Sequence, residues 1–184
     1  EPVTERVQDA LRDIPAERRG KVDIAFTAHS IPCAMAETSP YVKQLEEACR
    51  LVSNALGTKT GSLVYQSRSG PPQQPWLGPD VCDHLRQLKD ETDSQDVVLV
   101  PLGFLSDHME VQFDLDVEAA AVCKEIGLNM WRAKTVGTHP RFVRMIRELL
   151  DERMSNDSLR LAVGQLPATP DQCTPECCAW KTTR

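Results

Sequence analysis

Short apolar runs alternate with amphipathic stretches along most of the chain. Four runs have the length and composition of strands: residues 22–28, 62–66, 97–101 and, with a weaker pattern, 128–132. Periodic stretches predict helices over residues 3–13, 38–56, 80–89, 107–126 and 139–154. Strands that alternate with helices are typical of crossover connections. The pattern therefore predicts an α/β fold built on a four-stranded parallel sheet.

Residues 155–184 differ in composition from the rest of the 184-residue chain. They contain three prolines, few apolar residues and a cluster of cysteines. This composition predicts an irregular C-terminal extension that stays flexible unless other residues hold it. We therefore divide the chain into a helix and linker over residues 1–19, a main domain over residues 20–154 and a tail over residues 155–184.

The segment around residues 106–118 contains a row of carboxylates. Their spacing, i, i+3, i+7 and i+11, places them on one face of a helix: Asp107, Glu110, Asp114 and Glu118. Apolar residues flank the row on both sides and predict a helix buried on two sides. Like charges at this spacing repel by roughly 0.2–0.5 kcal/mol per pair, and a bound cation would relieve the repulsion. The flanking residues are Val111, Leu115 and Val122 on one side and Met109, Phe113 and Ala120 on the other.

A purely structural interpretation of the same residues is also open. Asp107 and Glu110 fit a capping box, because the N-terminal end of a helix favours negative charge. Asp114 and Glu118 would then face water. The spacing alone does not choose between the two interpretations.

Composition limits the possible functions. The formal net charge is -6 and the pI is about 5.2, whereas a nucleic-acid-binding surface is basic, so we expect no nucleic-acid partner. No apolar run approaches the ~18 residues of a membrane span, so we expect no transmembrane segment. Four cysteines are scattered over residues 33–123, which favours free thiols in a reducing compartment and hence a cytoplasmic location.

Polar motifs follow the predicted strands where each strand ends. His29 follows the first strand, Arg68 the second, and His108 and Glu110 the third. The carboxyl ends of parallel strands meet at one edge of a sheet, where ligands of open α/β sheets bind. Imidazole and carboxylate donors suit a borderline divalent metal such as Fe²⁺, Zn²⁺ or Co²⁺. One or two protein ligands would leave the metal exchangeable, so these residues predict transient metal handling beside a base.

Four separated segments, in this order, resemble the C-terminal half of ferrochelatases. They are FTAHSIP (26–32), YQSRSGPPQQPWLGPDV (65–81), VPLGFLSDHMEVQFDLDVEA (100–119) and THPRF (138–142). The resemblance spans residues 20–154. It implies insertion of Fe²⁺ into a porphyrin, protoporphyrin IX or coproporphyrin III, in haem synthesis. It also implies a three-layer, Rossmann-like domain, one of two that enclose the macrocycle in a cleft.

The resemblance also implies roles for individual residues. His29 matches the histidine that accepts pyrrole protons or binds the metal, and Glu110 matches the acid that faces it. Asp114 and Glu118 match an acidic path for metal or protons, on a helix with π-type widening. Three further residues are assigned to porphyrin binding: Arg68, Trp76 and His108. For His108, helix capping or local hydrogen bonding is the structural alternative.

Two features depart from the family pattern. The family's N-terminal half supplies the other wall of the cleft and is not matched, so we expect it as a partner, with residues 1–19 at the domain junction. The tail contains Cys173, Cys177 and Cys178. Some ferrochelatases bind a [2Fe–2S] cluster through three such cysteines and a fourth thiolate, since these clusters take four. The alternative is a thiol-bearing tail without a cluster.

Two other functions stay open at this point. A related chelatase would insert cobalt or nickel into a different tetrapyrrole. A domain without its other half would bind a tetrapyrrole or a metal without catalysis. Release of a hydrophobic product also suggests a peripheral membrane contact.

Overall fold

The computed structural model describes residues 1–71, 73–155, 159–173 and 175. At its centre lies a four-stranded sheet in the order β2-β1-β3-β4, in which every neighbouring pair is parallel. The strands are β1 Asp23–His29, β2 Ser62–Gln66, β3 Asp96–Val100 and β4 Asn129–Arg132. The parallel sheet predicted from the alternating pattern is confirmed.

Helices connect the strands and continue beyond the last one. They are α1 Pro2–Asp13, α2 Cys33–Ala36, α3 Tyr41–Leu56, α4 Val81–Glu91, α5 Met109–Val111, α6 Ala120–Ile126 and α7 Pro140–Met154. A π-helical segment, Gln112–Ala119, joins α5 to α6. These three pieces form one continuous helix over residues 109–126, which we call the acidic helix.

Both faces of the sheet are buried, which explains why its strands are almost continuously apolar. On one face, Phe26 and Val98 pack against α1 and α3. On the other face, Val64 and Leu99 pack against α4 and the acidic helix. Burial of each such side chain contributes about 1.5–3 kcal/mol. The result is the three-layer arrangement that the resemblance implies.

The prediction of a single helix over residues 38–56 is wrong at its start. A short helix, α2, ends at Ala36, and α3 begins only at Tyr41. Pro40 explains the break, because proline has no N–H to donate and disfavours helical conformation in the residue before it. The C-terminal end is as predicted, at Gly57, whose φ of 70° closes the helix in the left-handed conformation.

The described part of the tail forms no helix or strand, as predicted, but it is held against the body. Gly164 has a φ of 83°, and the Gln165 N–H donates to Glu47 Oε1 at 2.6 Å. The Arg50 guanidinium donates two hydrogen bonds to the same carboxylate, each of 2.7 Å. The tail is therefore attached to α3 near residue 165.

Although α7 is one of the longer helices, it buries none of its residues. Ion pairs hold its first turn to α1, between His139 and Glu5 at 2.9 Å and between Arg141 and Glu1. His139 is also the N-cap, and its Nδ1 accepts from the Arg141 N–H. Among the described residues, no helix has both the length and the apolar character needed to cross a bilayer.

Candidate active site

His29 is the last residue of β1, and its ring orientation is fixed by its own neighbourhood. The ring Nδ1 lies 2.5 Å from the Ser30 carbonyl oxygen, and the Tyr41 hydroxyl donates to the His29 carbonyl at 2.9 Å. A carbonyl oxygen only accepts, so Nδ1 carries the proton in this contact. In a neutral imidazole the lone pair then lies on Nε2.

Glu110 lies opposite that lone pair. Its Oε1 is 3.4 Å from His29 Nε2. The two side chains are 46% and 37% exposed respectively, so the pair opens to solvent. When the imidazole is neutral, both facing atoms present lone pairs, and a proton or a cation between them removes the repulsion. The structure thus brings together the imidazole and the carboxylate that follow two different strands.

The acidic helix is widened along the π-helical segment, as the resemblance implies. More than four residues complete a turn where hydrogen bonds run from i to i+5, so residues four apart stay nearly in line. Val111 and Leu115 are fully buried at this interval. The carboxylates Glu110, Asp114 and Glu118 recur at the same interval on the neighbouring face. Wide turns of this kind are frequent at functional sites.

Asp114 is held by the end of β2. The buried side chain of Gln66 donates its Nε2 to Asp114 Oδ2 at 3.0 Å, and the Ser67 hydroxyl donates to the same oxygen. Ser67 has a φ of 62°, a left-handed conformation that costs a non-glycine residue about 1–3 kcal/mol. The strained residue, Ser67, therefore contacts Asp114, the carboxylate that follows Glu110 along the acidic helix.

Asp107 does not belong to the row of carboxylates. It precedes the helix and accepts from Arg132 Nη1 at 2.7 Å and from Thr135 Oγ1 at 3.1 Å. His108 occupies the N-cap position and makes no side-chain bond to the helix. The prediction of four stacked carboxylates is therefore wrong at Asp107. The alternative of a capping box is wrong as well, because the helix begins at Met109 with His108, not Asp107, at the N-cap position.

Only one side of the acidic helix is covered by the described residues. Met109 and Phe113, predicted to be buried, are 84% and 52% exposed. The sheet and α4 pack against the opposite side. Glu118 is exposed too, which agrees with the structural interpretation for that residue. The prediction of burial on two sides is thus wrong within the part of the chain that the structure describes.

The loop between β2 and α4 lies against the residues that follow His29. The Ser30 hydroxyl donates to the Leu77 carbonyl at 2.8 Å, and the Leu77 N–H donates to the Ile31 carbonyl at 3.0 Å. These contacts place the loop at the same edge of the sheet as the imidazole.

Trp76 and Arg68, both predicted to bind porphyrin, belong to this loop region. Trp76 is partly buried and pairs with Pro32 through an isolated bridge. Gly70 approaches its ring so closely that a Cβ at position 70 would lie 2.2 Å from Trp76 Nε1, so the loop requires glycine there. Arg68 is exposed, and its guanidinium donates to the Gln74 carbonyl at 3.4 Å.

His108 is exposed, and its ring lies edge-on to Phe104 with the centroids 5.5 Å apart. Aromatic pairs favour this geometry. The side chain does not cap the acidic helix, so capping by His108 is wrong as a structural alternative. Contact with a porphyrin stays a prediction.

The cysteines fall into two groups. Burial raises the pKa of Cys49 to about 12 and the pKa values of Cys82 and Cys123 to about 11, so these thiols stay protonated at neutral pH. Cys173 is exposed, and two tail cysteines lie outside the described residues: Cys177 and Cys178. Across residues 1–71, 73–155, 159–173 and 175, no three or more His, Cys, Asp or Glu side chains group to hold a metal.

Sequence reasoning missed the residues that support the site. They are Tyr41, Gln66, Ser67 and Arg132. Gln66 and Ser67 stand at the end of β2, and Arg132 ends β4, so the carboxyl edge was the available signal for all three. Nothing in the spacing of Tyr41 indicates that its hydroxyl reaches the backbone of His29.

Comparison with known proteins identifies the family. The family model described as ferrochelatase matches residues 1–154. The ferrochelatase of Rhodopirellula baltica is 47% identical over 99% of this chain and 52% of its own length. The coproporphyrin III ferrochelatase of Streptomyces coelicolor is 40% identical over 100% of this chain and 54% of its own, and that of Frankia alni is 42% identical over 97% and 48%. The chain therefore spans about half the length of the curated relatives it matches. On these matches, the chain belongs to the ferrochelatase family.

Proposed function

We propose that this chain supplies the metal-insertion residues of a ferrochelatase, and that the assembled enzyme inserts Fe²⁺, its substrate, into a porphyrin. The observation that carries the proposal is the placement of His29 Nε2 3.4 Å from Glu110 Oε1 at the carboxyl edge of the sheet. Membership of the family supports the reaction class. A cobalt or nickel chelatase is not favoured, because the matched relatives are named ferrochelatases.

The chemistry of insertion suits this pair. The ring must lose two N–H protons while a dication enters. The lone pair on Nε2 of His29 accepts a proton or coordinates the metal, and the bond from Nδ1 to the Ser30 carbonyl keeps the ring in place. The Glu110 carboxylate stabilises either the imidazolium or the arriving cation. Two protein ligands leave the metal exchangeable, as a substrate requires.

Asp114 and Glu118 extend this site along the acidic helix, and their proposed role is to pass Fe²⁺ inward or protons outward. Glu118 is exposed and would form the outer end of the path, whereas Asp114 is half-buried beside the pair. The shared four-residue interval supports a continuous row of negative charge. This role requires no fixed bond between the metal and either carboxylate.

The substrate proposal is a porphyrin with propionate groups. Relatives from Streptomyces coelicolor and Frankia alni are named coproporphyrin III ferrochelatases, which favours coproporphyrin III over protoporphyrin IX. Competition between the two porphyrins in one assay decides between them. Arg68, Trp76 and His108 are the proposed contacts.

Insertion assays on a completed enzyme test the catalytic assignment. This chain is co-expressed with the part of the Rhodopirellula baltica relative that it does not match, and Fe²⁺ insertion is followed without air. His29→Ala and Glu110→Gln should each lower the rate by about 10²–10⁴-fold, the usual contribution of an acid or base. His84→Ala and Glu125→Gln, away from the pair, serve as matched controls.

Full activity in both site variants would discard the assignment. Porphyrin binding without metal insertion, even with the other half supplied, would instead favour a binding module. Because binding and insertion are measured on the same complex, this outcome distinguishes porphyrin binding from catalysis.

For the tail we propose a [2Fe–2S] cluster on Cys173, Cys177, Cys178 and a fourth thiolate from outside this chain. The spacing and the exposure of Cys173 support it, but the described residues do not complete such a site and no catalytic step depends on it. The iron-to-protein ratio and visible absorbance of enzyme purified without air test it. The scattered protonated thiols support a cytoplasmic location.

A further inference from the structure

The peptide group between His29 and Ser30 is held from both sides. Its carbonyl oxygen accepts from the Tyr41 hydroxyl at 2.9 Å, and its N–H donates to the Gln66 carbonyl on β2 at 2.8 Å. Because a trans peptide is planar and these two groups point in opposite directions, the two bonds fix its rotation. The next carbonyl along the chain, that of Ser30, accepts from His29 Nδ1. The orientation of this peptide therefore sets where the hydrogen-bond partner of the imidazole lies.

The bond from Tyr41 is the one that a side chain supplies to this peptide. Tyr41 is the first residue of α3, and it follows His29 by 12 positions along the chain. Burial raises the pKa of Tyr41 above its usual 10.0, so the hydroxyl keeps its proton and donates at neutral pH. A change from tyrosine to phenylalanine removes this bond and leaves the bonds of the sheet in place.

The ring of Tyr41 also connects His29 with the loop between β2 and α4. Tyr41 and Leu77 pack against the same three buried residues, which are Ala28, Leu45 and Tyr65. Leu77 exchanges two hydrogen bonds with the residues after His29, through the Ser30 hydroxyl and the Ile31 carbonyl. Tyr41 thus contacts the backbone of the imidazole with its hydroxyl and supports the loop with its ring.

We propose that Tyr41 is a positioning residue for His29, and that its hydroxyl keeps the imidazole in the tautomer whose Nε2 lone pair faces Glu110. This inference rests on the proposed function, in which that lone pair accepts a pyrrole proton or binds the metal. Without the hydroxyl, the peptide after His29 is free to rotate, and the contact of Nδ1 with the Ser30 carbonyl weakens. The second neutral tautomer then becomes populated, because the partner of one ring nitrogen decides where the proton lies.

Nitrogen NMR of the isotope-labelled 184-residue chain reads the tautomer without metal or porphyrin. The signals of His29 are assigned by their loss in His29→Gln. At a pH where the ring is neutral, we expect a protonated-type shift for Nδ1 and an unprotonated-type shift for Nε2. In Tyr41→Phe the two shifts should move toward each other, because the two tautomers exchange.

The matched control is Tyr65→Phe. Tyr65 is buried in the same cluster, and its hydroxyl has no hydrogen-bond partner among the described residues. This variant should keep the wild-type shifts of His29. Circular dichroism and thermal midpoints give the conditions under which every variant is folded. Wild-type His29 shifts in Tyr41→Phe, or an equal change in Tyr65→Phe, would overturn the proposal.

Kinetics of the completed enzyme separate the hydroxyl from the ring. Tyr41→Phe should lower kcat for Fe²⁺ insertion about 10–100-fold, as for other residues that orient a metal ligand, with the KM for porphyrin unchanged. Tyr41→Leu also removes the ring beside Leu77 and should raise that KM as well. A changed tautomer with a wild-type kcat would support the positioning of the ring by Tyr41 and contradict His29 as the base, so the two proposals fail separately.

Discussion

A single hydrogen bond decides which nitrogen of His29 faces Glu110. With Nδ1 donating to the Ser30 carbonyl, Nε2 is left as the acceptor 3.4 Å from the carboxylate. The other neutral tautomer, with its proton on Nε2, would present an N–H to Glu110 and could not accept a proton in that direction. The chemistry of this residue therefore depends on its backbone neighbour as much as on the residue type.

At the same scale, Asp114 combines a charge with two accepted hydrogen bonds, and two substitutions separate these properties. Asp114→Asn keeps an oxygen for Gln66 or Ser67 but removes the charge. Asp114→Ala removes both, and it leaves the buried Gln66 amide without its acceptor. We expect the alanine variant to lose about 1–3 kcal/mol of unfolding free energy in urea and the asparagine variant to lose less.

Both Asp114 variants should lower the rate of Fe²⁺ insertion in the completed enzyme if the charge carries metal or protons. An asparagine variant with the wild-type rate would contradict the relay and leave Asp114 with a supporting role. The exposed Glu125→Gln, on the same helix, is the reference for a neutral change that should affect neither measurement.

The proximity of His29 and Glu110 was predictable from the sequence, because the carboxyl ends of parallel strands lie at the same edge of a sheet. The contacts of Asp114 did not follow. They depend on the left-handed conformation of Ser67, which residue type does not indicate, since serine rarely adopts it.

At the scale of elements, Arg132 clamps the acidic helix onto the sheet. From the end of β4 its guanidinium donates to Asp107 at 2.7 Å and to Asp116 at 2.5 Å. These acids lie on either side of Glu110 along the chain. Arg132 is only 17% exposed, so the clamp is partly shielded from water. We infer that it is a positioning residue for Glu110.

Removing the clamp should cost stability and also disturb the site. For Arg132→Met we expect a loss of about 1–3 kcal/mol in urea, because Asp107 keeps its charge but loses its cation in a half-buried place. The exposed pair of Arg144 with Glu148 gives the control: Arg144→Met should cost no more than about 0.5 kcal/mol.

A second readout distinguishes positioning from mere stabilisation. Titration with Co²⁺, a spectroscopic stand-in for Fe²⁺, should show weaker binding to Arg132→Met under conditions where the variant is fully folded. The expected loss is about 10–100-fold, as for other residues that orient a metal ligand. Equal Co²⁺ affinity in wild type and variant would leave Arg132 a purely structural role.

Periodicity predicted the acidic helix as an element but not where it starts or which side is covered. An i, i+3, i+7 pattern gives the faces of a helix relative to one another. The partner of Asp107, Arg132, is 25 positions further along the chain, and no spacing rule connects them. The prediction that Met109 and Phe113 are buried was wrong for a related reason. An apolar side chain tends to be buried, but its character does not indicate which residues cover it.

At the scale of the whole molecule, three surfaces of the described chain are exposed to solvent. The His29–Glu110 pair is partly exposed, one apolar side of the acidic helix is uncovered, and so is α7. The parallel sheet, in contrast, is closed on both faces by the chain's own helices, so the sequence pattern was sufficient to predict it.

The tail is attached to α3 through Glu47, and this attachment should depend on pH. The hydrogen bonds from Arg50, and then the one from the Gln165 N–H, lower the pKa of Glu47 to about 2 from an ordinary 4.5. Ionised Glu47 therefore favours the attached tail. This contribution is complete above about pH 4.5 and is lost as the pH falls through about 2.

The Gln165 amide proton reports this ionisation directly, because it donates to the titrating carboxylate at 2.6 Å. Its NMR shift should move with a midpoint near 2, at pH values where circular dichroism shows the chain still folded. Arg50→Gln removes the largest cause and should raise the midpoint toward 4.5, whereas Arg147→Gln on α7 should leave it unchanged. A wild-type Gln165 amide shift that shows no titration with this midpoint would mean that the contact between the tail and α3 does not persist in solution.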